Sequence, residues 1–141
     1  MNFGMQLTPV VRALLIANII IFILTQYVAP QYEPLLAVYY PTSANFHPFQ
    51  ILTHMFMHAN LSHIFFNMFG LVTFGPMIES VWGERKFLIF YLLCGLGALA
   101  LQFLANYIQI ERGAISQIAA ESIPLVGVFV WFVSCFCIYV S

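Results

Sequence analysis

The residues of this chain that are best suited to chemistry lie in the stretch HANLSHIFFN, from His58 to Asn67. His63 and Asn67 are four residues apart, so on a helix their side chains lie on one face, one turn apart. Gly70 and Thr73 continue roughly the same face with small side chains, which favours packing against protein rather than lipid. Unpaired polar groups are costly in hydrocarbon, so this face indicates either a functional site or hydrogen bonds between helices.

The chain has four histidines, and all of them lie close together in the sequence: His47, His54, His58 and His63. They permit a metal or haem site, because imidazole is a common ligand. However, no Asp, Glu or Cys lies among them, and their spacing is not that of a closed zinc site. We therefore expect no metal and no cofactor, and we keep a bis-histidine haem or metal membrane protein as an alternative.

The chain as a whole is strongly apolar. Of its 141 residues, 62% are hydrophobic and 6% are charged, against about 25% charged in a soluble domain. The mean hydropathy is +0.94, so the natural solvent of the protein is lipid. The formal net charge of −1, without a basic cluster, argues against nucleic acid as a partner. Cys94, Cys135 and Cys137 fall in apolar runs, and we expect small buried side chains rather than disulfide partners or metal ligands.

A transmembrane helix needs about 20 apolar residues, and four segments come close to that length. They are Val10 to Val28, Leu61 to Ile78, Phe87 to Ile108 and Ile123 to Val140. The expected fold is therefore all-α, a polytopic membrane helical bundle, with residues 1–141 in a single membrane domain. The N-terminus has neither the basic region nor the cleavage site of a signal peptide, so we expect it not to be cleaved.

The few cations predict the orientation of these spans. Arg12, Arg85 and Lys86 fall on one side of the resulting zigzag, and Arg112 falls on the other. The positive-inside bias predicts a multi-pass protein of the cell membrane with a cytoplasmic N-terminus. The connection from Ala29 to Asn60, called the first loop below, contains no Lys or Arg and is then extracytoplasmic. It is too broken to span and too apolar for a solvated linker, so we expect a partly helical segment in the membrane interface.

Glu79 lies in the motif GPMIESVWG, at the opposite end of the second predicted span from the histidines. We expect a structural role for it. Its carboxylate would accept hydrogen bonds from backbone groups or from Arg85 and fix the turn that leads to the third span.

The motifs LTHMFMHANLSHIFFNMFG and GPMIESVWG together resemble the rhomboid family of intramembrane serine proteases. The resemblance runs from about Val10 to Gly127, and it implies that the four predicted spans belong to a six-helix core. In that family a Ser-His dyad cleaves peptide bonds within or beside transmembrane segments. The implied partners are therefore the lipid bilayer and transmembrane protein substrates or clients.

The resemblance also assigns roles to residues at matching positions. His63 and Asn67 would stabilise the tetrahedral oxyanion. Neutral N–H donors of this kind, aimed at a developing negative charge, contribute several kcal/mol in a low-dielectric site. The implied supporting positions are His58 and His54 at the active-site end of the second span, and Glu79 and Gly83 at the turn before the third.

The sequence departs from the family where the nucleophile is expected. In the family the serine stands in a G-x-S-G motif at the start of the fourth span, and the base is a histidine on the sixth. Here the sequence reads ESIPLVG up to Gly127, continues VFVWFVSCFCIYVS, and contains no G-x-S-G. Ser134 has no flanking glycines, and Ser116 lies in a polar loop. A serine nucleophile needs its base, so we expect this chain to be inactive by itself.

Our hypothesis for this departure is a frameshift or small deletion at or just after Gly127. Read one base later, the Trp131 codon followed by a Phe codon gives GGT, which encodes glycine. The shifted triplets from Ser134 to Cys137 can encode mainly small residues, as in an ordinary transmembrane helix. The alternative is a genuine short protein, a non-catalytic rhomboid-like protein that binds transmembrane helices. Such a protein has no reason to keep a G-x-S-G in another reading frame.

Overall fold

The computed structural model describes residues 6–125, and within this range the protein is all-α. The α-helices are α1 (Pro9–Ile23), α2 (Glu33–Leu36), α3 (Gln50–Thr53), α4 (Leu61–Trp82), α5 (Glu84–Glu111) and α6 (Gln117–Ser122). A π-helical turn, Leu24–Val28, extends α1, and two short 3-10 turns, Pro30–Tyr32 and His54–Phe56, lie in the first loop. Within the described range, β pairing is limited to an isolated antiparallel bridge between Val38 and Leu125.

Three of these helices are long and apolar enough to cross a membrane. They are Pro9–Val28, Leu61–Trp82 and Glu84–Glu111, called the first, second and third spans below. The third begins at Glu84 rather than at the predicted Phe87. Its helix extends beyond the apolar run and includes the charged residues that precede it in the sequence. An acidic side chain in the first turn also suits the helix dipole. Residues 126–140 of the fourth predicted span lie outside the described residues. The fourth span therefore stays a prediction.

The core lies where the first three spans meet. Its buried residues are Val11, Leu14, Met55, Leu71, Ile78, Phe87 and Tyr91. The first and second spans approach closely at Gly75, where an added Cβ atom would lie 2.6 Å from Val11 Cγ2. Glycine thus allows the close helix contact that membrane proteins use in place of a hydrophobic driving force. Many large apolar side chains face outward, as expected for a surface solvated by lipid.

The first loop is held in shape by its own hydrogen bonds. Gln50 is completely buried; its Nε2 donates to the carbonyls of Leu35 (3.2 Å) and Asn45 (3.1 Å), and its Oε1 accepts from the His47 N–H (2.9 Å). The Thr53 hydroxyl donates to the Leu36 carbonyl at 2.6 Å. These bonds satisfy backbone groups that a non-helical segment would otherwise leave unpaired in the membrane interface.

Cys94 corrects one expectation from the sequence. Its side chain is buried in the third span, as expected for a cysteine in an apolar run. However, Cys94 is disulfide-bonded, so the expectation that it forms no disulfide is wrong. An apolar setting predicts burial, but it does not tell whether a second cysteine comes within bonding distance in the fold.

Candidate functional site

The N-terminus of the second span fixes the position of His63. Asn60 is the N-cap residue, and its Oδ1 accepts from the His63 backbone N–H at 2.9 Å and from the Ser62 hydroxyl at 2.8 Å. A side-chain acceptor at this place satisfies an N–H that has no partner within the helix. His63 therefore stands in the first turn of a firmly started helix.

The ring of His63 is held in one tautomer. Its Nδ1 accepts a hydrogen bond from the Ala59 backbone N–H at 3.3 Å. A neutral imidazole that accepts at Nδ1 carries its proton on Nε2, so Nε2 is a donor. The Nε2 atom is itself shielded from solvent. The geometry thus provides a neutral N–H donor inside the protein, with its direction set by the loop before the helix.

His58 packs against His63. The two ring centroids are 5.1 Å apart and the rings are inclined at 69°. His58 is only 1% exposed, and its Nδ1–H donates to the Phe56 carbonyl at 3.2 Å. Burial, and secondarily the neighbouring His63, lowers the pKa of His58 from 6.5 to about 4. His58 is therefore neutral at physiological pH and supports His63 as an uncharged ring.

The other two histidines have different surroundings. His54 is buried, and its Nδ1–H donates to the Gln50 carbonyl at 3.1 Å. Burial lowers the pKa of His54 as well. His47 is exposed and stacks on the ring of Phe49, with centroids 5.5 Å apart. In residues 6–125 no three His, Cys, Asp or Glu side chains lie close enough together to hold a metal ion.

Asn67 lies one helical turn after His63, and both side chains are half-buried. The structure places them on one helix but joins them by no direct hydrogen bond. The described part of the chain gives the Asn67 amide no hydrogen-bond partner, so its N–H donors are not committed to any group there. Thr73, on the same helix, is exposed and bonds back to the Phe69 carbonyl at 2.7 Å.

Glu79 joins the second span to the start of the first. It is 3% exposed, and its carboxylate accepts from the backbone N–H groups of Val10 and Val11, both at 3.0 Å, and from the Thr8 hydroxyl. These are backbone donors at a helix N-terminus, where unpaired N–H groups and the helix dipole favour a carboxylate. Arg85, the other partner considered, is not among them. Local spacing could not reveal donors 68 or 69 residues away.

Gly83 makes the turn between the second and third spans. Its φ is +83° and its ψ is 162°, a backbone conformation that is essentially restricted to glycine. No atom lies within 4 Å of an added Cβ, so conformation rather than lack of space requires glycine here. The Gly83 N–H donates to the Glu79 carbonyl at 2.7 Å, which closes the end of the second span.

Two polar contacts were not predicted from the sequence. Asn18, buried in the first span, donates through Nδ2 to the Leu14 carbonyl at 2.7 Å and lies 3.5 Å from the Tyr91 hydroxyl of the third span. A single Asn in an apolar run could have marked this helix contact. Glu121 accepts from the Thr42 hydroxyl and, through its carbonyl, from Ser43 at 2.9 Å.

The same part of the first loop pairs with the first residues of the fourth predicted span. Val38 and Leu125 exchange backbone hydrogen bonds of 3.0 and 2.7 Å. The hydrogen bonds from Thr42 and then Gln117 lower the pKa of Glu121, although this carboxylate is on the surface. The chain from Glu121 to Leu125, where the fourth predicted span begins, is thus tied to the loop that carries the histidines.

These features describe a multi-pass α-helical membrane protein with a polar cluster at one end of its second span. A rhomboid domain matches residues 45–139, and the chain belongs to the rhomboid family. It is 28% identical over 106 residues to Rhomboid-like protease 3 of Toxoplasma gondii, covering 70% of this chain and 40% of that protein.

Two similar proteins come from Arabidopsis thaliana. Rhomboid-like protein 11, chloroplastic, is 32% identical over 75 residues, which cover 53% of this chain and 25% of that protein. RHOMBOID-like protein 6, mitochondrial, is 32% identical over 65 residues, 46% of this chain and 21% of that protein. The chain therefore spans less than half the length of these curated relatives. No solved structure matches it significantly.

Proposed function

We propose that these residues supply the oxyanion-binding part of a rhomboid-type intramembrane serine endopeptidase that cleaves transmembrane proteins. The observation that carries the proposal is the His63 ring. Its Nδ1 accepts a hydrogen bond from the Ala59 N–H, so the shielded Nε2 carries the proton, one turn from Asn67. Two neutral donors on one helix face suit the charge that develops on a carbonyl oxygen during peptide hydrolysis.

Each neighbouring residue has a supporting role in this proposal. His58 packs on the His63 ring and stays neutral, so it holds the ring without competing for the negative charge. His54 anchors the preceding turn through the Gln50 carbonyl. Glu79 and Gly83 act at the other end of the span, where they fix its position and its exit turn.

The nucleophile and the general base are not among the residues of this chain. The 141 residues contain no G-x-S-G, and we propose that they do not hydrolyse peptides by themselves. Activity would belong to a protein that joins this oxyanion part to a serine and a later histidine. Substrate recognition, and the identity of any client helix, is likewise proposed for that whole protein.

One test is to sequence the genomic DNA from the Gly127 codon onward, over a few hundred bases, and to translate all three frames. A nearby frame that encodes G-x-S-G and a later histidine-bearing span would support the protease. The protein expressed from the restored frame should then cleave a transmembrane reporter. A clean stop after Ser141 without such a frame would contradict the proposal.

The absence of a G-x-S-G in these 141 residues also favours a second candidate, a non-catalytic membrane protein that binds transmembrane helices. It would use the polar face of the second span to recognise a client helix and would need no serine. Crosslinking from position 67 to a co-purifying transmembrane helix, with no proteolysis in the restored frame, would favour this candidate over the protease.

We also propose that the N-terminus is cytoplasmic and that the protein lies in the cell membrane. The support is the distribution of Arg12, Arg85, Lys86 and Arg112. In Arg112→Cys, a membrane-impermeant thiol reagent should label the exposed position 112 only from the extracytoplasmic side. Arg85→Cys is the matched control and should be labelled only from the cytoplasmic side. The reverse pattern would overturn the topology.

A further inference from the structure

The side chain of Met55 lies directly on the backbone of Gly95 in the third span. A Cβ atom built at Gly95 would lie 2.1 Å from Met55 Cε, 2.7 Å from its Sδ and 3.1 Å from its Cγ. Real Cβ atoms essentially never come within 3.0 Å of another heavy atom in this way. Because three successive atoms of the methionine are involved, rotating only its terminal methyl group does not make room for a larger residue.

Met55 is enclosed as well as close. It is 5% exposed and belongs to the buried core with Leu14 and Tyr91. Methionine has three rotatable side-chain bonds and adapts readily where space exists. A side chain packed on all sides has no such space, so a methyl group at position 95 would displace the backbone that carries Met55.

That backbone leads directly to the histidines. Met55 lies in the 3-10 turn His54–Phe56, and the Phe56 carbonyl is the acceptor for His58 Nδ1–H at 3.2 Å. The His58 ring then packs on His63 with a centroid distance of 5.1 Å. A displacement at Met55 therefore moves the acceptor that orients His58.

We propose that Gly95 is a positioning residue, which accepts the Met55 side chain and thereby holds the histidine-bearing turn of the first loop against the second span. Gly97 offers a sharp contrast, because nothing lies within 4 Å of its added Cβ. Both glycines lie inside the same helix. Replacing either one by alanine improves helix propensity equally, so only the contact with Met55 distinguishes them. The inference concerns the position of a ring and does not depend on proteolysis.

The experiment compares Gly95→Ala with Gly97→Ala in the 141-residue chain, labelled with ¹³C-histidine and held in lipid nanodiscs. The readout is the NMR titration of His58, assigned by the loss of its signal in His58→Gln. With the turn displaced, His58 loses its burial, and in Gly95→Ala its pKa should rise from about 4 towards 6.5. In Gly97→Ala it should stay near 4. His63, the titratable side chain that faces His58, is unchanged in every variant.

Two further variants keep the inference testable if Gly95→Ala does not fold. Met55→Ala removes the side chain that docks on Gly95 without adding an atom, so the pKa of His58 should rise in this variant too. The double variant Gly95→Ala with Met55→Ala has neither the clash nor the docked side chain, so its His58 pKa should match that of Met55→Ala. A His58 pKa that stays near 4 in Gly95→Ala, or in Met55→Ala where the first variant cannot be made, would overturn the proposal.

Discussion

At the end of the second span that carries Glu79, three long helices meet through a buried carboxylate, a glycine contact and a tight turn. At the end that carries His63, the first and second spans leave an open apolar groove of about 640 Å³ between them. We call these the Glu79 end and the His63 end. The groove is lined by Ile19, Phe22, Ile23, Tyr27, Leu61, Ile64, Phe65, Met68, Phe69, Val72 and Thr73.

The polar groups at the two ends also differ, because those at the Glu79 end are bonded between helices. The Glu79 carboxylate accepts three hydrogen bonds, from the N-terminus of the first span and from Thr8, which precedes it. At the His63 end, His63 and Asn67 are half-buried, and the neutral His58 ring packs on His63. Satisfied polar groups hold helices together, whereas the Asn67 amide has no hydrogen-bond partner within the described residues. The comparison assigns stability to the Glu79 end, and our proposal places the chemistry at the His63 end.

The largest effect on stability should come from Glu79→Ala. It leaves two backbone N–H groups and a hydroxyl without their acceptor, each at a cost of roughly 1–3 kcal/mol when buried. We expect a loss of about 3 kcal/mol or more in reversible unfolding in mixed micelles. Glu84→Ala, at an exposed carboxylate nearby, is the control and should change stability by less than about 1 kcal/mol. Equal losses in the two variants would remove the special role of the Glu79 end.

Asn67→Ala tests the His63 end through turnover. In a restored-frame protein that contains the serine and histidine, kcat should fall about 10²- to 10³-fold with little change in KM, as for the loss of one oxyanion donor. Stability should change little, because Asn67 has no hydrogen bond to lose within the described residues. Thr73→Ala, on the same helix, should leave kcat unchanged. If Asn67→Ala lowers stability while sparing kcat, the residue has a packing role and the comparison fails.

Acidification should weaken the His63 end selectively. The pKa of His58 is about 4 in the fold and about 6.5 in the unfolded chain, so the unfolded state binds more protons between these values. Stability is therefore greatest above pH 6.5 and falls until about pH 4, by roughly 3 kcal/mol for a shift of this size.

His58→Gln is the control for this dependence, because a glutamine does not titrate. His54 changes stability in the same direction, since burial lowers its pKa too. Subtracting the pH dependence of the unfolding free energy of His58→Gln from that of the parent chain therefore isolates the contribution of His58. Parallel unfolding curves for both proteins from pH 7 to pH 4 would show that His58 is not held neutral by the fold.

Much of this architecture could be predicted from the sequence. The apolar runs predicted three helices that the structure contains, because transmembrane length and composition are strong physical constraints. The four-residue spacing of His63 and Asn67 placed them on one helix for the same local reason.

What the sequence could not predict depends on contacts between distant residues. The donors to Glu79 and the Tyr91 partner of Asn18 arise only when the spans pack. Likewise, Gly75 and Gly95 look alike in the sequence as glycines in apolar helices. Only the fold shows that one receives Val11 and the other Met55.

Gly75→Ala gives the smallest expected effect and the finest test of the Glu79 end. The added methyl group would lie 2.6 Å from Val11 Cγ2, and a β-branched valine has little rotamer freedom to move away. Overpacking of this kind costs about 1–3 kcal/mol, which thermal unfolding in micelles can resolve. Gly97→Ala is the matched control and should be neutral or slightly stabilising. Adding Val11→Ala should recover part of the loss in Gly75→Ala, because it removes the clashing methyl groups. If the double variant is instead as destabilised as the sum of the two single variants, the two residues are not in contact, and the tight packing of the Glu79 end depends on its hydrogen bonds alone.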